Sequence, residues 1–348
     1  MSKILDGLKL TFDDVLLVPG YSDINSREDI SLAQEFLGIK LRYPIISANM
    51  DLVTGANMAV AMYSAGGLGI LHRFYSSWAD EQEDIEALYQ SAVPVAISVG
   101  IRDFEESLAK LTWVEEQYLG EDPFIVTIDV AHGHHERVAD LIAVIKEQYQ
   151  QVKIIAGNVS TWDGYLFLAK AGAHAVKVGI GPGSACTTRI VTGFGYPQFS
   201  AIKDIADKRP SFSGYPSIIA DGGIRSSGDI VKALAAGADV VMVGNLLAGT
   251  TETPGEVLES VNGRRFRRYR GQSIFGANGE RYVKEGVSGF VEEKGSVVGV
   301  IRYLVGGIRS GLSYAGALNL TELRSNAEFI HVSAHTVHES NPRLVEVI

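Results

Sequence analysis

The stretch that decides the fold runs from Lys153 to Ile180 and reads KIIAGNV, then STWDGYLFLAKAGAH, then AVKVGI. Lys153–Val159 and Ala175–Ile180 are short, largely apolar runs of the kind that fill a buried strand. Between them Thr161 stands where a helix cap would, and the segment to Ala171 has helical spacing. A strand, a helix and a second strand of this length predict a parallel βαβ unit. The same alternation recurs outward in both directions. Pro44–Asp51, Gly67–Arg73, Val93–Gly100 and Phe124–Val130 precede it as candidate strands, and Ser217–Gly223 and Val240–Leu246 follow. Asp103–Tyr118, His134–Tyr149 and Ser227–Ala236 supply helices between them. Eight such units predict a (β/α)8 TIM barrel. The alternative, a doubly wound sheet, lacks its usual mark: no early strand is followed by GxGxxG with an acidic residue downstream.

Composition narrows the function. The chain has 348 residues, 46% apolar and 21% charged, enough for a sizeable core. With 41 acidic against 31 basic residues it carries a net charge of −10, which argues against a nucleic-acid footprint or a polybasic membrane patch. No run approaches the roughly 18 apolar residues of a membrane span, and a cytoplasmic, reducing location is the default expectation. The one basic cluster, Arg264, Arg265, Arg267, Arg268 and Arg270, reads either as a solvated face or as a neighbour of an anionic ligand. No linker stands out, so residues 1–348 read as one catalytic barrel. Two stretches break its rhythm: a glycine-rich loop over 181–197 and a polar segment over 250–294. Both follow strand ends, where barrel enzymes build active sites.

Cys186 is the single cysteine. It lies among glycines and hydroxyls in Gly179–Arg189, not in an apolar run, which makes it a candidate nucleophile; an inert loop thiol is the alternative. Arg189 and the loop amides could favour its thiolate, and Thr188 stands two residues on. Asp221-Gly222-Gly223 and Gly244-Asn245 end the last two strands, the phosphate-binding position of this fold, and Ser184 can add a hydroxyl. Asp221 suits ribose hydroxyls better than phosphate, so the ligand reads as a nucleotide. His132, His134 and His135 near Asp129 could bind zinc, though their spacing matches no strong motif. Lys177 could form a Schiff base or pair with a carboxylate. Glu280, Arg281, Tyr282 and Glu285 offer proton donors and acceptors in the long loop after the last strand.

Together these residues resemble the IMP dehydrogenase and GMP reductase family over most of the chain. The markers are Leu10–Pro19, Ser47-Ala-Asn-Met-Asp51, Asp129-Val-Ala-His-Gly133, Ala156-Gly-Asn-Val159, the Cys186 loop, Ala220-Asp-Gly-Gly-Ile224 and Tyr269-Arg-Gly271. The resemblance implies that Cys186 attacks C2 of a purine nucleotide to give a thioimidate, with Thr188 and Glu285 relaying protons through a shared hydrogen bond. It places the nucleotide on Ser47, Met50, Ser184, Asp221, Gly222, Gly223, Gly244, Asn245, Tyr269, Gly271 and Gln272. It sets a nicotinamide cofactor near Asp129, Ala131, His132, Asn158 and Gly179, and a potassium ion on carbonyls of Gly181, Gly183 and Cys186. It further implies a homotetramer.

Two reactions share that adduct. A dehydrogenase forms it by sending hydride from IMP to NAD and then hydrolyses it. A reductase forms it by expelling ammonia from GMP and then takes hydride from NADPH. Dehydrogenases need added machinery to activate water: a long flap with an Arg-Tyr pair well ahead of its glutamate. Here the flap over 269–295 is short, no domain interrupts the chain after the second strand, and His72-Arg-Phe74 and Phe194–Pro197 lean the same way. These features favour GMP reductase with NADPH. Arg281-Tyr282, Leu10–Pro19 and Thr251–Glu256 read more like an IMP dehydrogenase, the alternative, and Gln272 departs from both patterns. A nucleotide-binding barrel without catalysis is a further alternative, opposed by the intact Cys186, Thr188 and Glu285.

Overall fold

The computed structural model describes residue 4 and residues 7–118, 124–210, 214–271, 275–276, 279–280 and 283–342. Eight parallel strands form its centre: β1 (Ile45–Ser47), β2 (Leu68–Gly69), β3 (Ala96–Val99), β4 (Ile125–Asp129), β5 (Lys153–Val159), β6 (Ala175–Val178), β7 (Ser217–Asp221) and β8 (Val240–Val243). Each pairs with its sequence neighbour, and β8 pairs with β1 in register Val241 to Ile45. Between β2 and β3 the Leu71 N–H donates to the Ala96 carbonyl at 2.9 Å, which brings the ring nearly to closure. The TIM barrel expected from the sequence is therefore the fold. Observed strands are shorter than the apolar runs: Ile70 and Leu71 are fully buried yet lie beyond β2, Ile70 in the barrel-interior cluster and Leu71 in the helix-facing core.

The helices outside are α1 (Ala56–Ala65), α2 (Trp78–Gln90), α3 (Phe104–Gln117), α4 (Glu136–Gln148), α5 (Trp162–Ala171), α6 (Gln198–Lys208), α7 (Ser227–Ala235) and α8 (Val297–Tyr314). Their starts are set by side chains that accept otherwise unpaired amides: Ser77 for α2, Asp103 for α3, Thr161 for α5, Ser226 for α7. His135 caps α4 through Nδ1, which accepts from the Arg137 N–H at 3.1 Å. No described helix is long and apolar enough to cross a membrane.

Strand period two sorts the barrel interior into layers. Ile125, Ile155, Ala175, Ile219 and Val240 pack with Phe36, Ile39 and Leu41, contributed by a hairpin of strands Gln34–Phe36 and Ile39–Leu41. Two residues further along, the inward positions of β4, β6 and β7 turn polar at Thr127, Lys177 and Asp221, with Asp129 one step beyond, while β5 has Gly157 and β8 keeps the apolar Met242. The apolar floor and the polar rim thus follow from one alternation.

The segment after β8 is ordered where the sequence showed no period. Val257–Glu259, Arg265–Arg270 and Ser288–Glu292 form an antiparallel sheet. Its cross-strand partners are charged: Arg264 meets Glu292 at 2.8 Å and Arg265 meets Glu293 at 3.0 Å. That resolves the arginine cluster as largely a paired sheet face.

Candidate active site

The candidate residues converge at the carboxyl rim of the barrel, around a cleft of about 870 Å³ open to solvent. Met50, Asp129, Ala131, Asn158, Gly179, Gly181, Gly183, Cys186, Thr188, Asp221, Tyr269, Gly271 and Glu285 all line it. A larger cavity, about 1270 Å³ and also open to solvent, lies among Arg209, Tyr215, Gly237 and Arg324, near the amino ends of β7 and β8. It contains none of these residues, so size does not mark the chemical site.

Cys186 is half-buried and its thiol donates to Thr188 Oγ1 at 3.1 Å. Its amide donates to the Gly183 carbonyl at 3.0 Å, which folds the loop back on itself. The end of the flap pairs with this loop: Thr187 N–H donates to the Glu285 carbonyl at 3.0 Å and Val287 N–H to the Ala185 carbonyl at 2.9 Å. Thiol, hydroxyl and carboxylate are therefore gathered by backbone. The expected Glu285–Thr188 side-chain hydrogen bond is not formed among the described residues; Thr188 accepts from Cys186 instead, and Glu285 reaches the loop through its main chain. Arg189 does not face the thiol either: its guanidinium donates to the Tyr196 carbonyl at 2.6 Å.

The nucleotide candidates split into two groups. Ser184 Oγ and the Tyr269 hydroxyl lie 3.2 Å apart, and a Cβ on Gly244 would come 3.3 Å from that hydroxyl and 3.3 Å from Met50 Sδ. Gly222 and Gly223 have φ of 93° and 77°, and a Cβ on Gly222 would sit 3.0 Å from Pro182. Backbone, Ser184 and Tyr269 thus close on one spot, with burial pushing the Tyr269 hydroxyl above its usual range. Ser47 stands apart from it: fully buried in the barrel wall, it accepts from Thr54 Oγ1 at 2.8 Å. The Asn245 carbonyl accepts from Lys294 Nζ at 2.8 Å. Gln272, Arg281 and Tyr282 lie outside the described residues.

Under the cleft lies a buried polar network centred on Lys177, where carboxylate pairing, one of the two readings of that lysine, is what forms. Lys177 Nζ donates to Asp129 Oδ1 at 2.5 Å and to Asn49 Oδ1 at 3.3 Å, and stands 3.7 Å from Asp221 Oδ2. Asn158 Nδ2 donates to Asp221 Oδ2 and to the Gly179 carbonyl, both at 2.8 Å. Burial alone would pull the Lys177 ammonium down, but the charges of Asp129 and Asp221 outweigh it and hold it above its ordinary value. Burial pushes the Asp129 carboxyl up, and Lys177 and Arg73 together bring it below the carboxylate range. The lysine is thus an ion-pair partner and not a Schiff-base amine. Asn49 was inside a quoted motif and Lys177 followed from period two, so both signals were present. Gln198, whose amide donates to the Val178 carbonyl at 2.8 Å, carried none.

The histidines do not form a metal site. His134 packs on Phe167 with ring centroids 4.8 Å apart, His135 caps α4, and no group of three His, Cys, Asp or Glu converges among the described residues.

The family description "IMP dehydrogenase / GMP reductase domain" matches residues 9–343. The chain belongs to the IMP dehydrogenase/GMP reductase family. Its relatives within that family give the direction. It is similar to the inosine-5'-monophosphate dehydrogenase of Chlorobaculum parvum, 34% identical over an alignment of 489 positions that covers 100% of this chain and 98% of the relative. It is also similar to that of Nitrosopumilus maritimus, 34% identical with 96% and 98% covered, and that of Borreliella burgdorferi, 36% identical with 96% of each covered. These names overturn the reductase expectation, and NADPH as cofactor falls with it. The physical reason is that the features behind it were architectural. The Borreliella alignment spans 400 positions and the Chlorobaculum alignment 489, yet both relatives are named dehydrogenases.

Proposed function

We propose that this oxidoreductase is an IMP dehydrogenase, converting IMP, NAD+ and water to XMP, NADH and a proton. The observation that supports this direction is the full-length similarity to relatives named inosine-5'-monophosphate dehydrogenase, and the cleft in which Cys186, Thr188, Glu285 and Asp221 meet supports the shared chemistry. The thiolate attacks C2 of IMP, and the resulting Cys186 thioimidate is hydrolysed to XMP with return of the thiol. NAD+, when bound, accepts the hydride from C2. Ser184, Gly223, Gly244 and Tyr269 hold the phosphate, and Asp221 the ribose. Gly222, Asn245 and Gly271 shape the backbone around the nucleotide, and Met50 contacts its base. Thr188 and Glu285 pass the proton of the attacking water.

The residues fit both implied groups. The cleft continues from Cys186 to Asp129, Ala131, Asn158 and Gly179, room for a nicotinamide beside C2. The Cys186 loop offers the hard carbonyl oxygens a monovalent cation requires: Gly181 (φ 89°) and Cys186 accept no backbone hydrogen bond outside helices and strands among the described residues, and Gly183 has a second lone pair free. We further propose one catalytic domain over 1–348, its catalytic loop at 181–197 and flap at 269–295, assembled as a homotetramer.

The test is absorbance in the nicotinamide band. IMP with NAD+ should give a rise that Cys186→Ala abolishes while IMP still protects that variant from thermal unfolding. Turnover in Cys186→Ala, or silence of the wild type, sinks the reading.

A further inference from the structure

Among the buried ionisable side chains that the mechanism above leaves unused, Lys177 lines the cleft itself. It is 2% exposed and stands one period-two step along β6 from Ala175, in the apolar layer that also holds Ile155 and Ile219. Its neighbours come from five barrel segments: Asp129 from β4, Asp221 from β7, Asn158 from β5, Asn49 after β1 and Arg73 after β2. Only Lys177 and Arg73 are cations, and Arg73 Nε is 3.9 Å from Asp129 Oδ2.

We propose that Lys177 is a positioning residue that keeps Asp129 charged and aimed at the cofactor side of the cleft while sharing its ammonium with Asp221 on the ribose side. This rests on the proposed function. The argument is one of charge balance. Two carboxylates inside a barrel repel each other and lose hydration, and either effect alone favours a proton on one of them. One ammonium within salt-bridge reach of both opposes that drive, and with Arg73 beside it Asp129 sits below the ordinary carboxylate range despite its burial. Lys177 therefore has no need to touch the nucleotide. It fixes the charge state of groups that do the binding.

The experiment is the pH dependence of the KM for NAD+ in Lys177→Gln, with IMP saturating and wild-type turnover as the control that tests the functional reading separately. The wild-type KM should stay flat as pH falls, apart from the phosphate titration of IMP near pH 6. In Lys177→Gln, Asp129 takes up a proton and the KM should rise about tenfold per pH unit below its titration point. Combining Lys177→Gln with Asp129→Asn should remove that limb, because no titrating carboxyl remains on that side. A Lys177→Gln profile that matches the wild type overturns the proposal, and so does a limb that persists in the double variant. Should Lys177→Gln fail to fold alone, recovery in the double variant carries the same inference, and failure of both overturns it.

Discussion

Gly179→Ala should disable the enzyme through a single methyl group. Gly179 follows β6 with φ of 151°, a conformation that L side chains rarely adopt. A Cβ there would lie 1.9 Å from the Asp221 carbonyl oxygen and 3.1 Å from Gln198 Nε2. Ordinary contact needs well over 3 Å, so the Asp221 or Gly179 backbone must retreat by about 1 Å, a displacement that costs on the order of 100-fold in rate at a reacting centre. Asp221 cannot yield freely: its carbonyl accepts from Gln198 and its carboxylate from Asn158. Strain at such a backbone costs about 1–3 kcal/mol beyond the clash. Steady-state kinetics with IMP and NAD+ should show kcat/KM down by about 100-fold or more, alongside a lower melting temperature. Gly263→Ala is the control. Gly263 has φ of 79° with nothing within 4 Å of an added Cβ, so it should cost about 1–2 kcal/mol of stability and leave kcat/KM alone. Wild-type kcat/KM in Gly179→Ala would refute the claim that the β6 and β7 rims are packed too tightly here for any side chain.

Two further outcomes test other parts of the structure. Tyr269→Phe removes the hydroxyl that meets Ser184 at 3.2 Å, so the KM for IMP should rise roughly fivefold, about 1 kcal/mol, with kcat unchanged. A fall in kcat alone would remove Tyr269 from phosphate binding. His72 is buried against Tyr75, and burial lowers its pKa from 6.5 to about 4. It folds neutral while the unfolded chain takes a proton, so stability is lost as pH falls from 6.5 towards 4, by about 3 kcal/mol in all. Thermal unfolding of His72→Asn should show a shallower loss between pH 6.5 and 5, and an unchanged slope would remove His72 as its source.

The barrel was legible because its signal repeats. Each strand was a short apolar run and several helix starts carried a polar cap, so Asp103 and Thr161 marked the first turns of α3 and α5 to within a residue. The sheet after β8 was not legible for the opposite reason. Its order comes from the antiparallel backbone ladder with Ser288–Glu292 and Val257–Glu259, flanked by charge pairs such as Arg264 with Glu292, and the Arg265–Arg270 strand shows no apolar alternation to read. Phe266 and Tyr269 fall three apart, a helical spacing, in a strand held by pairing with Ser288–Glu292.

The site was legible in its parts and not in its direction, and the difference is chemical. Cys186, Asp221 and the glycines after β7 and β8 are the residues that the proposed function assigns to the adduct and the nucleotide, which it shares with the reductase reading. The direction depends on what reaches C2 once the thioimidate exists, water or hydride. That choice rests on few groups in the flap, so flap length and inserted domains are poor proxies for it. Glu285 illustrates the point: its carbonyl is pinned to Thr187, which brings the carboxylate to the cleft however many residues precede it. A flap shortened between Gly271 and Glu285 can therefore keep Glu285, the group proposed to pass the proton of water, at the cleft. Its anchor is the pairing of Val287 with Ala185 and with Gly271, and this does not depend on the length of the excursion between.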